Sequence, residues 1–234
     1  LMRADLAAYG AHINDSTSYQ VYNKVEKTKE SVAAVDATCG QVLTWNGKVV
    51  EAYYFSTSAG VTSTDEIWGS DEAAPYLRSV PCKFDEEEPW SSWIVELPWK
   101  MLEDRIREKG EGTVLRSVTV TRRSESGAAT ALEAVSDKDS CIIENEYEIR
   151  KFLAPVNCMI TEKDGTETAG GSLLPSAYFE LERTQNGNLQ VRGKGYGHGV
   201  GMSQTGADKM AEQGYDYREI LDYFFRNITV ENLG

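Results

Sequence analysis

Near the C-terminus the chain reads YGHGVGMSQTGA from Tyr196, which sets His198, one of two histidines, between Gly197 and Gly199. An imidazole that titrates close to neutrality can move a proton, hold a hydrogen bond or bind a metal. Five glycines within Gly195–Gly206 permit left-handed backbone and close approach of a ligand or another segment. The spacing is not that of a phosphate loop, because the Lys-Ser/Thr end of that motif is missing. Ser203 is placed to cap a following helix, whose first N–H groups favour a polar or anionic group. A lone histidine in a turn is more often a structural hydrogen-bonder than a catalyst. A metal site on His12 and His198 would need a third protein ligand that the sequence does not advertise, so no metal and no cofactor are expected.

The elements that must position these residues are legible as punctuation. QVLTW and KVVEAYYF flank Asn46-Gly47, a two-residue hairpin signal. The second run delivers Ser56, Thr57 and Ser58 into a glycine-containing loop, a place suited to ligand contacts although satisfied turn chemistry is commoner. After an acidic loop, FDEEEP, read as solvated surface, WSSWIVELPWKMLEDRIREKG turns helical in its second half and stops at Gly110. LRSVTVTRRS and ATALEAVS read as a strand pair, and NEYEIRKFLAP as a short helix ended before Pro155. PSAYFELERTQNGNLQVRGKG repeats the hairpin logic around Asn186-Gly187. A helix from about Ser203 to Gln213 and a second, amphipathic one in YDYREILDYFFRN close the chain. Strands and helices are mixed without regular alternation, which predicts an α+β fold, mainly antiparallel, in one domain over residues 1–234.

Composition narrows the partners. With 24 Lys+Arg against 37 Asp+Glu the net charge is −13, which argues against nucleic acid or an anionic membrane and favours a neutral polymer or small ligand. No apolar run approaches the length of a membrane span. LMRADLAAYG lacks the features of a signal peptide and reads as the tail of a helix that begins upstream, an N-terminal truncation. Cys39, Cys82, Cys141 and Cys158 are too far apart for a CxxC knuckle and would permit three disulfide connectivities. One disulfide, or free thiols throughout, are the readings left open.

YGHGVGMSQTGA, followed by KMAEQGYDYREILDYFF, resembles the C-terminal signature of the SpoIID/LytB family, the stage II sporulation protein D and amidase-enhancer group of bacterial cell-wall proteins. EAYYFSTSAGVTSTDEIWGSDEAAPYLRSVP resembles the family's strand, Ser/Thr loop, acid-Trp-Gly and Pro-Tyr-Leu-Lys/Arg-Ser-Val segment. QVYNKV, AVDATCGQVLTWNGK, YEIRKFL and LPSAYFEL are smaller matches, and the set runs through most of the chain in the family's order.

The resemblance implies binding of peptidoglycan glycan strands, with lytic transglycosylase cleavage of denuded strands as in sporulation, and an extracytoplasmic location at the bacterial cell envelope, any membrane anchor lying upstream. The alternative it implies is a non-catalytic glycan-binding module that stimulates a cell-wall amidase. Lytic transglycosylation needs a carboxylic acid held protonated to donate that proton to the glycosidic oxygen, and the carboxylate so formed can then take the proton of the sugar's C6 hydroxyl as it closes an anhydro ring. One acid suffices, unlike the carboxylate pair of ordinary glycosidases.

In the family that glutamate precedes an Ala/Lys/Arg-rich helix leading into the region matched by LMRADLAAYG, so it is expected upstream of Leu1. Several relatives also carry a Cys-containing segment with a His-Cys pair before Gln-Val-Tyr. Aligned on Gln20-Val21-Tyr22 those positions are Asn14, Ser18 and Tyr19, which cannot bind zinc. By position the resemblance carries over Ser56, Ser58, Tyr76, Arg78, Tyr196, His198 and Gln204 as substrate-binding residues. Arg78 could bind a lactyl carboxylate, and aromatic faces suit sugar rings, although core packing is the commoner fate of a residue such as Trp68. Glu66 is the first acid to test as proton donor, a solvated glutamate being its ordinary identity.

Overall fold

The computed structural model describes residues 9–11, 26–70 and 72–233. His12, Asn14, Ser18, Tyr19 and the Gln20-Val21-Tyr22 match lie outside them, as does most of LMRADLAAYG. The chain divides into two compact units, Leu1–Val42 with Asn232–Gly234, and Leu43–Glu231. In the first, helix α1 (Lys29–Ala37) is closed at its N-terminus by a reciprocal pair of Thr28 and Ser31 hydrogen bonds, which satisfies donors that a helix start leaves unpaired. Among the described residues no helix is long and apolar enough to cross a membrane.

The second unit holds Glu66 and every residue carried over as substrate-binding, and is α+β. Strands β1 (Gln41–Trp45) and β2 (Lys48–Val49) meet at the expected hairpin, with Asn46 and Gly47 both at positive φ. The predicted strand KVVEAYYF is broken. It resumes only as β3 (Tyr54–Phe55), whose partner is not β2 but a segment near the C-terminus.

Strand β4 (Trp93–Leu97) and helix α2 (Trp99–Glu108) follow, the helix burying Leu102 and Ile106 one turn apart and ending at Gly110, φ +75°. Strands β5 (Leu115–Arg123), β6 (Ala129–Ser136) and β7 (Ser140–Glu144) form an antiparallel sheet. After helix α3 (Glu146–Phe152) come β8 (Met159–Glu162), β9 (Glu167–Ala169), β10 (Phe179–Arg183) and β11 (Leu189–Gly193). These join β4 in a five-stranded sheet ordered β10-β11-β4-β8-β9, each pair antiparallel. Strand β12 (Met202–Ser203) leads into α4 (Gln204–Glu212), capped by Ser203 as expected, and α5 (Tyr217–Phe224) is capped by Asp216.

Two apolar clusters sit within this unit. One packs β4, α2, β5, β6 and α3 around residues such as Leu97, Leu102, Leu132 and Phe152. The other joins Ile67, Leu77, Val80, Val200, Met210 and Phe224 beneath the loops that carry the sequence motifs. The four cysteines are free thiols. Burial pushes the Cys82 thiol up to about 12, with the neighbouring Asp85 charge adding to it, so it packs as an apolar group.

Helix α3 carries a buried ion pair. Glu146 accepts from Arg150 at 2.5 Å, and both side chains are nearly inaccessible. Arg150 also donates to the carbonyls of Leu174, at 2.8 Å, and Pro175, at 3.2 Å. The Pro175 carbonyl accepts in addition from the amide of Gly197, so this pair braces the backbone on which the His198 loop rests. Truncating Glu146→Ala leaves the guanidinium without its counter-ion. We expect a loss of about 3–5 kcal/mol in urea denaturation, with Glu146→Gln losing less.

Candidate functional site

The glycine-rich motif lies against β3 and the Ser/Thr loop. Strands β3 and β12 pair in parallel, Tyr54 opposite Met202 and Phe55 opposite Ser203. Thr57 and Tyr196 exchange backbone hydrogen bonds at 3.1 and 2.8 Å. This contact explains the glycines. A Cβ on Gly201, φ +80°, would lie 2.1 Å from the Tyr53 carbonyl oxygen, and one on Gly195, φ +76°, would lie 2.9 Å from that of Thr57. Side chains at those positions would force the two segments apart.

A buried carboxylate ties the segments together. Asp85, 1% exposed, accepts from the Ser58 amide at 2.8 Å, the Ser58 hydroxyl at 2.7 Å, the Ser203 hydroxyl at 2.6 Å and the Thr205 hydroxyl at 3.3 Å. Hydrogen bonds to an ionised acceptor are the stronger kind, so the Ser/Thr loop and the start of α4 share one anchor. Asp85 belongs to FDEEEP, and the reading of that loop as solvated surface is overturned there. Glu86 and Glu87 stay exposed, as that reading expects, Glu87 pairing with Lys163 at 2.8 Å, while half-buried Glu88 pairs with Lys209 at 3.5 Å.

His198 sits among aromatic rings, its centroid 5.7 Å from Phe55, 5.2 Å from Trp68 and 6.5 Å from Tyr53. Burial, and next the charge of Arg150, lower its pKa to about 4 against an opposing backbone hydrogen bond at Tyr54. The imidazole is therefore neutral at pH 7. Its Nδ1 accepts from the Val200 amide at 3.1 Å, which leaves the ring proton on Nε2. Beneath the loop, Tyr178 donates to Ser63 at 2.9 Å, and the Ser63 and Ser126 hydroxyls lie 2.6 Å apart.

Ser56, Tyr196 and Gln204 are brought to one edge. The Ser56 carbonyl accepts from the amide and hydroxyl of Thr205, Gln204 precedes Thr205 and is exposed, and Tyr196 pairs with Thr57. Tyr196 remains 42% exposed and tilts against Trp90, centroids 4.6 Å apart. Ser58 is 1% exposed and its hydroxyl is committed to Asp85 and the Cys82 carbonyl, so it serves the anchor rather than facing a ligand.

Tyr76 and Arg78 make their contacts elsewhere. The Tyr76 hydroxyl accepts from the Glu51 amide, and exposed Arg78 donates to the Pro75 carbonyl. Glu66 is exposed and accepts from Thr64 at 2.8 Å, without the apolar enclosure that a general acid needs. Trp68 is half-buried, between the core and sugar-platform readings. Among the described residues no group of three His, Cys, Asp or Glu side chains is arranged to hold a metal ion. Sequence reasoning missed Asp85, Trp90 and Thr205. Only Thr205, inside the quoted motif, carried a signal that could have drawn notice.

Removing the anchor should be costly. Asp85→Ala strands the Ser58, Ser203 and Thr205 donors in a buried site, and we expect a loss of about 3 kcal/mol or more from several unmet donors at about 1–3 kcal/mol each, measured by thermal unfolding. The histidine predicts a pH dependence. In the unfolded chain it takes a proton near pH 6.5 and in the folded protein only near pH 4, so its contribution is complete above pH 6.5 and is lost as pH falls. Urea denaturation should show stability falling by at most about 2 kcal/mol from this group between pH 7 and pH 5. His198→Phe should remove that component.

The chain has relatives over nearly its full length. An uncharacterized protein of Brachyspira hyodysenteriae is 31% identical across 93% of this chain and 53% of its own. Stage II sporulation protein D of Bacillus amyloliquefaciens is 29% identical across 94% and 60%. The amidase enhancer of Bacillus subtilis is 23% identical across 94% and 35%. The chain thus spans about half to three fifths of the first two and about a third of the last. A family model described as a domain of unknown function, DUF8618, matches residues 76–201, from the Pro-Tyr-Leu-Arg segment to the histidine loop. With that match over more than half its length, the chain belongs to the DUF8618 family, and its likeness to stage II sporulation protein D and the amidase enhancer supports kinship with the SpoIID family.

Proposed function

We propose that this chain binds the glycan strands of peptidoglycan at the edge formed by Ser56, Tyr196 and Gln204, and that it serves lytic transglycosylation at the bacterial cell envelope. One observation carries the binding: an exposed tyrosine, tilted against Trp90, stands on a backbone that the Asp85 anchor holds rigid, beside the exposed Gln204 side chain and the half-buried Ser56 hydroxyl. Sugar rings are bound this way, by stacking of their C–H faces on an aromatic plane and hydrogen bonds from their hydroxyls. Neutral His198, whose Nδ1 accepts from Val200 and whose other nitrogen is engaged by the Tyr54 backbone, orients the loop rather than supplying a proton.

Cleavage requires an acid kept protonated. The buried acids among the described residues, Asp85, Glu146 and Glu162, are each committed to internal donors, so on this reading the proton donor is none of these three. The second reading, a non-catalytic module that stimulates a cell-wall amidase, is favoured by the likeness to a protein named amidase enhancer over 94% of this chain.

Denuded glycan strands decide between the two. Under the first reading, incubation with the full-length protein releases anhydro-muramyl products. Binding without such products sinks it and leaves the second. In either case Tyr196→Ala should weaken strand binding about five- to tenfold, the order of about 1–1.5 kcal/mol for one aromatic contact. Unchanged binding in both Tyr196→Ala and His198→Ala would refute the proposed edge.

A further inference from the structure

A second concavity opens on the side of Trp68. It has a volume of about 220 Å3 and is lined by Glu66, Trp68, Arg122, Thr130, Glu144 and Asn145, among others. That is below the roughly 300–1,000 Å3 of pockets that engulf drug-sized ligands, a space suited to one ring of an extended chain.

Its polar groups are preset. Arg122 Nε donates to the Thr130 hydroxyl at 3.2 Å, and another of its nitrogens to Glu144 at 3.1 Å. Glu66 is fixed by Thr64 at 2.8 Å, and Asn145 Oδ1 accepts from the Glu148 amide at 3.0 Å, leaving its NH2 to donate. A guanidinium has five N–H donors and a carboxylate about four acceptor sites, so each group keeps capacity for a ligand while its direction is already set. The Trp68 indole is propped edge-on by Tyr53, at 4.9 Å, and by His198, at 5.2 Å, which makes it a rigid platform rather than a mobile flap.

The charges select the sugar. Glu66 and Glu144 outnumber Arg122, whose guanidinium is already paired, so the cleft is negative within a chain of net charge −13. A sugar bearing a carboxylate is repelled, whereas a neutral pyranose can donate hydroxyl and amide N–H groups to the two carboxylates. We propose that this cleft is a subsite for a single neutral sugar of the N-acetylglucosamine type. The inference rests on the glycan-binding reading and deepens it: in a strand of alternating sugars it sets the register, placing the carboxylate-bearing residue outside the cleft.

The test is titration of the full chain with the neutral chitin trimer and, separately, with N-acetylmuramic acid, followed by calorimetry and amide NMR. The trimer should bind and shift the amides around Trp68 and Glu144, and N-acetylmuramic acid should leave them in place. Arg122→Ala and Glu144→Ala should each weaken the trimer about tenfold with little change in melting temperature, because that ion pair is solvent-exposed and such pairs contribute about 1 kcal/mol or less. Trimer affinity unchanged in both variants but reduced in Tyr196→Ala overturns the subsite alone. Tighter binding of N-acetylmuramic acid at these residues overturns its selectivity. No binding of either the trimer or denuded strands by the unaltered protein overturns the glycan reading as well.

Discussion

The arrangement of the site depends on one buried carboxylate. Asp85 accepts from Ser58, Ser203 and Thr205, and so joins three stretches of chain that sequence distance keeps far apart. A charge in an apolar interior is tolerated only when hydrogen bonds replace its water. Here Asp85 meets hydroxyl and amide donors where an ion pair would have brought a second charge. The requirement works in both directions: the donors fix the carboxylate, and the carboxylate fixes the loop and the start of α4 to which they belong.

The glycine loop completes what the carboxylate begins. Tyr196 and Thr57 exchange backbone hydrogen bonds, and the close approach at Gly195 and Gly201 leaves no room for side chains. The Glu146–Arg150 pair braces the Pro175 carbonyl from below, and that carbonyl receives the Gly197 amide. His198 is thereby held in an aromatic enclosure that keeps it neutral. A histidine so placed is suited to holding geometry, and the exposed faces that surround it, Tyr196 on Trp90 and the cleft beside Trp68, are the surfaces left for a ligand.

Local chemistry was readable where partners are close in sequence. The Asn46-Gly47 and Asn186-Gly187 hairpins, the Ser203 cap and the stop at Gly110 all appear as expected, because each depends on neighbouring residues alone. KVVEAYYF failed as one strand because Tyr54 and Phe55 pair with Met202 and Ser203, a partner that no local pattern announces. Among the residues singled out for ligand contact, Ser58 turned inward for the same reason, its partner Asp85 lying in a run of acids that looked uniformly solvated.

By itself the sequence determined the α+β character, the turns and caps, the family likeness and the identity of the histidine loop, since these rest on residue type and short spacing. Tertiary structure alone decided which acid is buried, which serine is spent on it, that His198 is neutral and that Trp90 stands behind Tyr196. Burial and long-range hydrogen bonding are properties of where segments meet, and Asp85 is set apart from the acids beside it by what the fold lays against it.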